Sequence, residues 1–148
     1  MKKLLFILSV IVFAACNSDD NTDNFDSKIV GKWVFNTVRI HVEADKASVR
    51  TQAEKDKEAA INKAVSTYVE FTNNKYSNTY EGFNNIDYYT KDSYIYFKTS
   101  DTWENWKYTI SGDAFTFVLD ETEEFKNMFP EGGVKKVVFY WDYIKTGL

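Results

Sequence analysis

Apolar and polar positions alternate with a period of two along most of this chain, and a helical period interrupts them twice. Gly31 to Val42 reads as a strand, with Trp33 and Phe35 on one face and Val38, Ile40 and Val42 in phase after a one-residue slip. Such a slip predicts a bulge or bend. The long helical stretch follows. Thr51-Gln52-Ala53-Glu54 fits a capping box, with Thr51 as N-cap and Glu54 reaching back. Ala53, Ala60, Ile61, Ala64, Val65 and Tyr68 make a modest apolar stripe opposite Lys55, Asp56, Glu58 and Lys63. A stripe rich in alanine lets a helix lie close on a neighbouring surface, as packing helix, lid or plug.

From Thr67 the period returns to two. Tyr68 to Phe71, Tyr76 to Tyr80, Ile86 to Tyr89 and Ser93 to Thr99 are separated by Asn73-Asn74, Gly82 to Asn85 and Lys91-Asp92. Trp106, Tyr108 and Ile110 alternate with Asn105, Lys107 and Thr109, and Ser111-Gly112-Asp113 turns the chain into Phe115, Phe117 and Leu119. A short helix comes next, with Asp120 as its cap, Glu123 in its first turn, Phe125, Met128 and Phe129 as its apolar face, and Pro130 as its stop. Glu131-Gly132-Gly133 leads into a last strand, Val134 to Lys145, apolar on both faces, as befits a strand that a helix covers on one side. Short strands at this spacing indicate an all-β barrel or sandwich. The count is eight, the number that closes into a barrel wide enough for a side-chain core or one small ligand.

The first residues carry an address. Lys2 and Lys3 precede a ten-residue apolar run, Leu4 to Phe13, and Ala14-Ala15 precede Cys16, the one cysteine. The run is too short to span a bilayer and has the layout of a secretory signal peptide over 1–15. Phe-Ala-Ala-Cys resembles the lipobox of bacterial lipoproteins. That resemblance implies acylation of Cys16 and a lipid anchor, on the periplasmic face or the surface of a Gram-negative outer membrane. Two or three acyl chains hold a protein firmly where one does not. Residues 16–27 then read as a flexible acidic tether, leaving 28–148 as one domain. Ser18-Asp19-Asp20 also resembles a surface-export signal, and a plain solvated linker fits the same residues. Asp19, Asn21 and Asp23 alternate as in a calcium loop. Asn24 stands where that loop needs glycine and Val30 where it needs glutamate, so the linker reading prevails.

Removing the leader takes away Lys2 and Lys3, which leaves 16 basic residues against 22 acidic ones and a formal charge of -6. No basic block is present, so nucleic acid and anionic headgroups are not expected partners. The 26 aromatic residues, of which only Phe6 and Phe13 leave with the leader, point to a fold held by rings.

Gly31-Lys32-Trp33 resembles the Gly-x-Trp that opens the first strand of lipocalins, and the chain from Ile29 to Leu148 is similar to small bacterial lipocalin-like lipoproteins. The resemblance implies a calycin-type, antiparallel eight-stranded barrel, to which the residue pattern adds a helix inserted after the first strand, a departure from secreted lipocalins, and a short helix before the last. It also implies that Trp33 packs across the barrel base, often under an arginine from near the last strand. No arginine follows Arg50, and Lys145 is the available substitute. The second lipocalin motif, Thr-Asp-Tyr, is absent.

Little here suggests catalysis. His41 is the one histidine, and it lies on the first strand without the cysteine or carboxylate spacing of a zinc site. Glu123-Glu124 sits at a helix start, where acids complement the dipole. There is no phosphate loop and no Gly-x-Ser-x-Gly. No enzyme, metal or cofactor is expected. The strand phases place Tyr80, Tyr88, Tyr96, Trp106, Tyr108 and Trp141 inside the barrel, either as core or as the lining of a pocket for a small hydrophobic ligand. The alternative is a filled barrel whose outer aromatics, such as Trp103, Tyr89 and Tyr94, meet a protein or glycan. An open interior distinguishes the first reading, and a packed interior with an exposed aromatic patch distinguishes the second.

Overall fold

A computed structural model describes residues 26–147. The leader, Cys16 and the acidic stretch with Asp19, Asn21 and Asp23 lie outside the described residues. Eight strands close into one antiparallel barrel in which each strand pairs with its neighbours in sequence and the last pairs with the first. They are β1 (Gly31–Ala44), β2 (Tyr68–Phe71), β3 (Lys75–Asn78), β4 (Phe83–Lys91), β5 (Tyr94–Thr99), β6 (Thr102–Ser111), β7 (Ala114–Asp120) and β8 (Val134–Lys145). Helix α1 (Ala47–Ala64) follows β1, and α2 (Thr122–Met128) precedes β8. The architecture is thus the expected lipocalin-like one, with the helices at the expected places in the order.

The slip read in β1 is a bulge. Phe35 stands opposite Tyr143 and Thr37 opposite Asp142, so Asn36 is extra, and Val38, Ile40 and Val42 stay on the inner face opposite Trp141, Phe139 and Val137. Tyr80 lies beyond the end of β3, in the turn to β4, because Asn78 stops the strand. The buried Asn78 carboxamide accepts the Tyr80 and Glu81 amides at 2.9 and 3.3 Å and donates to the Tyr76 hydroxyl at 2.8 Å.

Rings fill the barrel. Trp33, Phe71, Tyr76, Phe97, Phe115 and Phe117 are fully buried and contact one another tilted, stacked or edge to face, with centroids 4.8–5.6 Å apart in the closest pairs. Each such ring buries about 150–250 Å², which is roughly 4–6 kcal/mol of gross hydrophobic stabilisation at ~25 cal/mol per Å².

The two ends of the barrel differ. At the base, the 3-10 turn Ser27–Ile29 closes the bottom. Trp33 Nε1 donates to the Ile29 carbonyl at 2.7 Å, and the Lys145 ammonium lies 5.2 Å from the Trp33 ring centroid. Asp26, which the sequence leaves in the tether, is bound here through its amide to Thr90 and its carboxylate to Tyr108, both at 2.8 Å. The top carries α1 and α2. A second cluster buries Val38, Val42, Val137 and Phe139 of the long β1–β8 ribbon against Val49 and Ala53 of α1 and Phe125 of α2.

Both helix starts depart from the sequence reading. α1 begins at Ala47, a turn before Thr51, because Val49 is fully buried and the Asp45 and Lys46 amides donate to the carbonyls of Gly133 and Gly132. Thr51 instead bonds back to the Ala47 carbonyl at 3.1 Å, and Glu54 pairs with Lys57. Val65 leaves the apolar stripe at the helix end and is 62% exposed. The N-cap of α2 is Glu121, while Asp120 accepts the Thr122 amide at 3.0 Å. Met128 is exposed, since Phe125 and Phe129 make the contact with the barrel.

Candidate functional site

The residues singled out in the sequence separate into three groups. Tyr88 and Tyr108 point inward at the base, each 6% exposed. The Tyr88 hydroxyl donates to the Thr72 carbonyl at 2.6 Å, and Tyr108 donates to Asp26. Burial raises both phenols well above their ordinary value, and the Asp26 carboxylate adds to it. They are core residues whose hydroxyls have partners.

Tyr80, Trp106 and Trp141 meet at the top and line an interior void of about 40 Å³. Trp106 stands edge-on between Phe97 and Phe117, and Tyr80 stands edge-on to Trp141 at 4.8 Å. The Lys63 ammonium lies 4.1 Å from the Tyr80 ring centroid. One or two waters fit such a void. Below it the buried rings pack against one another as a core.

Tyr96 lies outside. The opposite phase of β5 is buried, with Ile95 and Phe97 inward, because in a ring-filled barrel they need no hydrogen-bond partner and tyrosine does. On the outer wall Tyr96 stacks on Tyr89, with centroids 4.7 Å apart and planes 2° from parallel. Trp103, 48% exposed, reaches across β5 to stand edge-on to Tyr89 at 5.0 Å, and Tyr94 flanks Tyr96 at 6.5 Å. The outer aromatics expected from sequence thus form one platform, with Tyr96 added to it.

The platform continues into an open groove. Beyond the pair Lys107–Val118, β6 and β7 splay, and a space of about 620 Å³ opens on the outer wall. Tyr94, Asn105, Trp106, Lys107, Lys136 and Tyr140 are among its walls, with Asp120 and Glu121, so rings and hydrogen-bonding groups both line it. Nearby on β1, Arg39 grips Asp142 through two nitrogens at 2.5 and 3.0 Å. Burial works to raise the Asp142 carboxyl, but Arg39 and the Thr116 hydroxyl together hold it below its ordinary value.

A separate cleft of about 260 Å³ lies at the top between α1, α2 and β8. Its floor is Leu119, Phe125, Phe139 and Trp141, and its walls carry Asp56, Glu121 and Glu124. Burial, and then a hydrogen bond with Glu124, push the Glu121 carboxyl up to about 7. Along the chain this cleft shows only as Glu121 and Glu124 standing one helical turn apart. Glu123 acts separately, as the partner of Lys126 at 2.7 Å.

His41 is exposed and paired with Glu43 at 2.7 Å. Among the described residues no three histidine, cysteine, aspartate or glutamate side chains are placed to share a metal ion, and no helix is long and apolar enough to cross a membrane. No protein-family model, curated protein or solved structure matches the chain.

Proposed function

We propose that this chain is a non-catalytic binding module of the lipocalin-like bacterial lipoprotein type, which engages an extended glycan with the outer wall of its barrel. The observation that carries this reading is the stacked pair Tyr89–Tyr96 with Trp103 across it, on the outside of a barrel whose inside holds a cluster of buried rings. A closed barrel offers no sheet edge along most of its wall, so a partner is recognised by side chains rather than by strand addition. Ring faces carry negative quadrupole charge and attract the polarised C–H groups of a sugar face. Asn105, Lys107, Thr109 and Lys136 of the adjoining groove supply donors and acceptors for sugar hydroxyls. That polar lining favours a glycan over a protein, whose interface cores are depleted of charge.

The packed interior argues against the other expectation, a small hydrophobic ligand held inside the barrel. Trp33 at the base with Lys145 over it supports the family reading. Anchoring through acyl chains on Cys16, at an outer membrane, rests on the lipobox. Asp26 lies ten positions after Cys16, a span of at most ~33–36 Å when fully extended. An anchored domain would therefore hold its base toward the membrane and its top away from it.

The test is affinity electrophoresis of the full chain through gels containing a soluble β-glucan, a mannan, a xylan or a galactan. Retardation by at least one polymer, abolished in Tyr96→Ala and in Trp103→Ala, is the expected result. No retardation by any polymer, or equal retardation of wild type and both variants, overturns the glycan reading.

A further inference from the structure

We propose that the cleft between α1, α2 and β8 is a second binding site, and that it takes a small organic cation: a protonated amine on an apolar, ring-sized body. It shares Leu119 and Glu121 with the outer groove but none of the stacked rings Tyr89, Tyr96 and Trp103, so either reading can fail without the other.

Three features of the cleft select this ligand. Its volume of about 260 Å³ lies at the small end for ligand pockets, which suits a compact molecule and excludes a polymer. Its floor is apolar and aromatic, made by Leu119, Phe125, Phe139 and Trp141, and Ala60 on the α1 side leaves the space that a larger residue would occupy. The charge at its walls has one sign. Asp56 from α1 and Glu121 and Glu124 from α2 and its cap converge on it, and no lysine or arginine lines it. Lys57 pairs with Glu54, Lys126 with Glu123, and Lys63 lies over the Tyr80 ring, while Lys136 stands on the outer-groove side of Glu121.

Of these carboxylates, Asp56 accepts the Gln52 amide at 2.8 Å, while Glu121 and Glu124 are held against each other. Two carboxylates side by side are relieved by a proton or by a cation. An ammonium group satisfies both at once with charge-assisted hydrogen bonds, and its apolar body rests on the floor that includes Trp141. A carboxylate ligand of equal shape meets only repulsion. A neutral one leaves the acid pair as it was.

The probe is tryptamine, compared with indole-3-propionate, which has the same ring and the opposite charge. Both are titrated at pH 8 into the uniformly 15N-labelled full chain, with amide shifts as the readout. Saturable shifts with tryptamine at residues 119–125 and 139–141, and none with indole-3-propionate, are expected. The Glu121→Gln/Glu124→Gln double variant keeps the shape of the cleft and relieves its repulsion, so it should fold. It should bind tryptamine about tenfold more weakly, through loss of charge-assisted hydrogen bonds. Ala60→Phe, which fills the cleft from α1, should bind neither probe. Equal affinity for the two probes, unchanged affinity in the double variant, or no saturable shifts with millimolar tryptamine overturns the proposal.

Discussion

The Tyr108 hydroxyl donates a 2.8 Å hydrogen bond to the Asp26 carboxylate, joining residues 82 positions apart and closing the barrel base with the segment that precedes β1. The other Asp26 oxygen accepts the Lys28 amide and so caps the 3-10 turn beneath Trp33. Asp26→Ala should take the charged acceptor from a largely buried phenol and the cap from the 3-10 turn, and cost about 1–3 kcal/mol. Asp26→Asn keeps a carbonyl oxygen and should cost less than half of that. Urea unfolding of the two variants checks the order.

Much of the barrel was legible in the sequence because turns and period-two strands are local properties. The bulge in β1 was readable as a slip in phase, and the covered β8 as a strand with two apolar faces. Trp33 and its substitute partner Lys145 were readable from a resemblance, and the structure brings them together. Tyr96 was not readable. Tyr94, Tyr96 and Lys98 compete with Ile95 and Phe97 for the inside of β5, and what decides is the number of hydroxyl partners available in a ring-filled interior. That number depends on the whole barrel. The top cleft was hidden for a similar reason, since Asp56 and Glu121 meet only once both helices dock on the same ribbon.

Gly133 is fixed by sterics as well as by backbone conformation. Its φ is +61°, and a Cβ there would stand 2.3 Å from an Asp45 carboxylate oxygen, the residue that pairs with Lys135. Gly112 has a similar φ of +56° but open space around it. Gly112→Ala should therefore cost only the left-handed strain, about 1 kcal/mol, whereas Gly133→Ala should exceed it by about 1–3 kcal/mol as α1 and β8 are pushed apart. Thermal unfolding of the pair separates the two costs.

Trp33 and Lys145 should contribute very unequally. Trp33→Phe removes the Nε1 donor to the Ile29 carbonyl and part of a fully buried ring, and about 2–4 kcal/mol is expected from the lost bond and the void. Lys145→Met removes a charge from an exposed position over the ring, where such contacts give about 0.5–1 kcal/mol. If the lysine variant is the more destabilised in chemical denaturation, the base is held by charge rather than by packing.

Glu121 should make the fold less stable as pH rises through neutrality. Burial and Glu124 raise its carboxyl from an ordinary 4.5 to about 7, so the folded chain binds more protons than the unfolded chain between those values. Stability contributed by the protonated form is then fully present below about 4.5 and is lost as pH climbs to about 7. The other shifted acids act in a different window. Asp120, held low by Thr122, and Asp142, held low by Arg39 and Thr116 against its burial, lose their contributions only on acidification below the ordinary aspartate range. A stability maximum between the two windows follows, near pH 4. Glu121→Gln removes the upper window and leaves the lower one, so its advantage over wild type should be small at pH 5 and larger at pH 8. Urea midpoints at the two pH values test the sign. A wild-type midpoint that rises from pH 5 to pH 8 would mean that Glu121 is ionised at no cost in the fold.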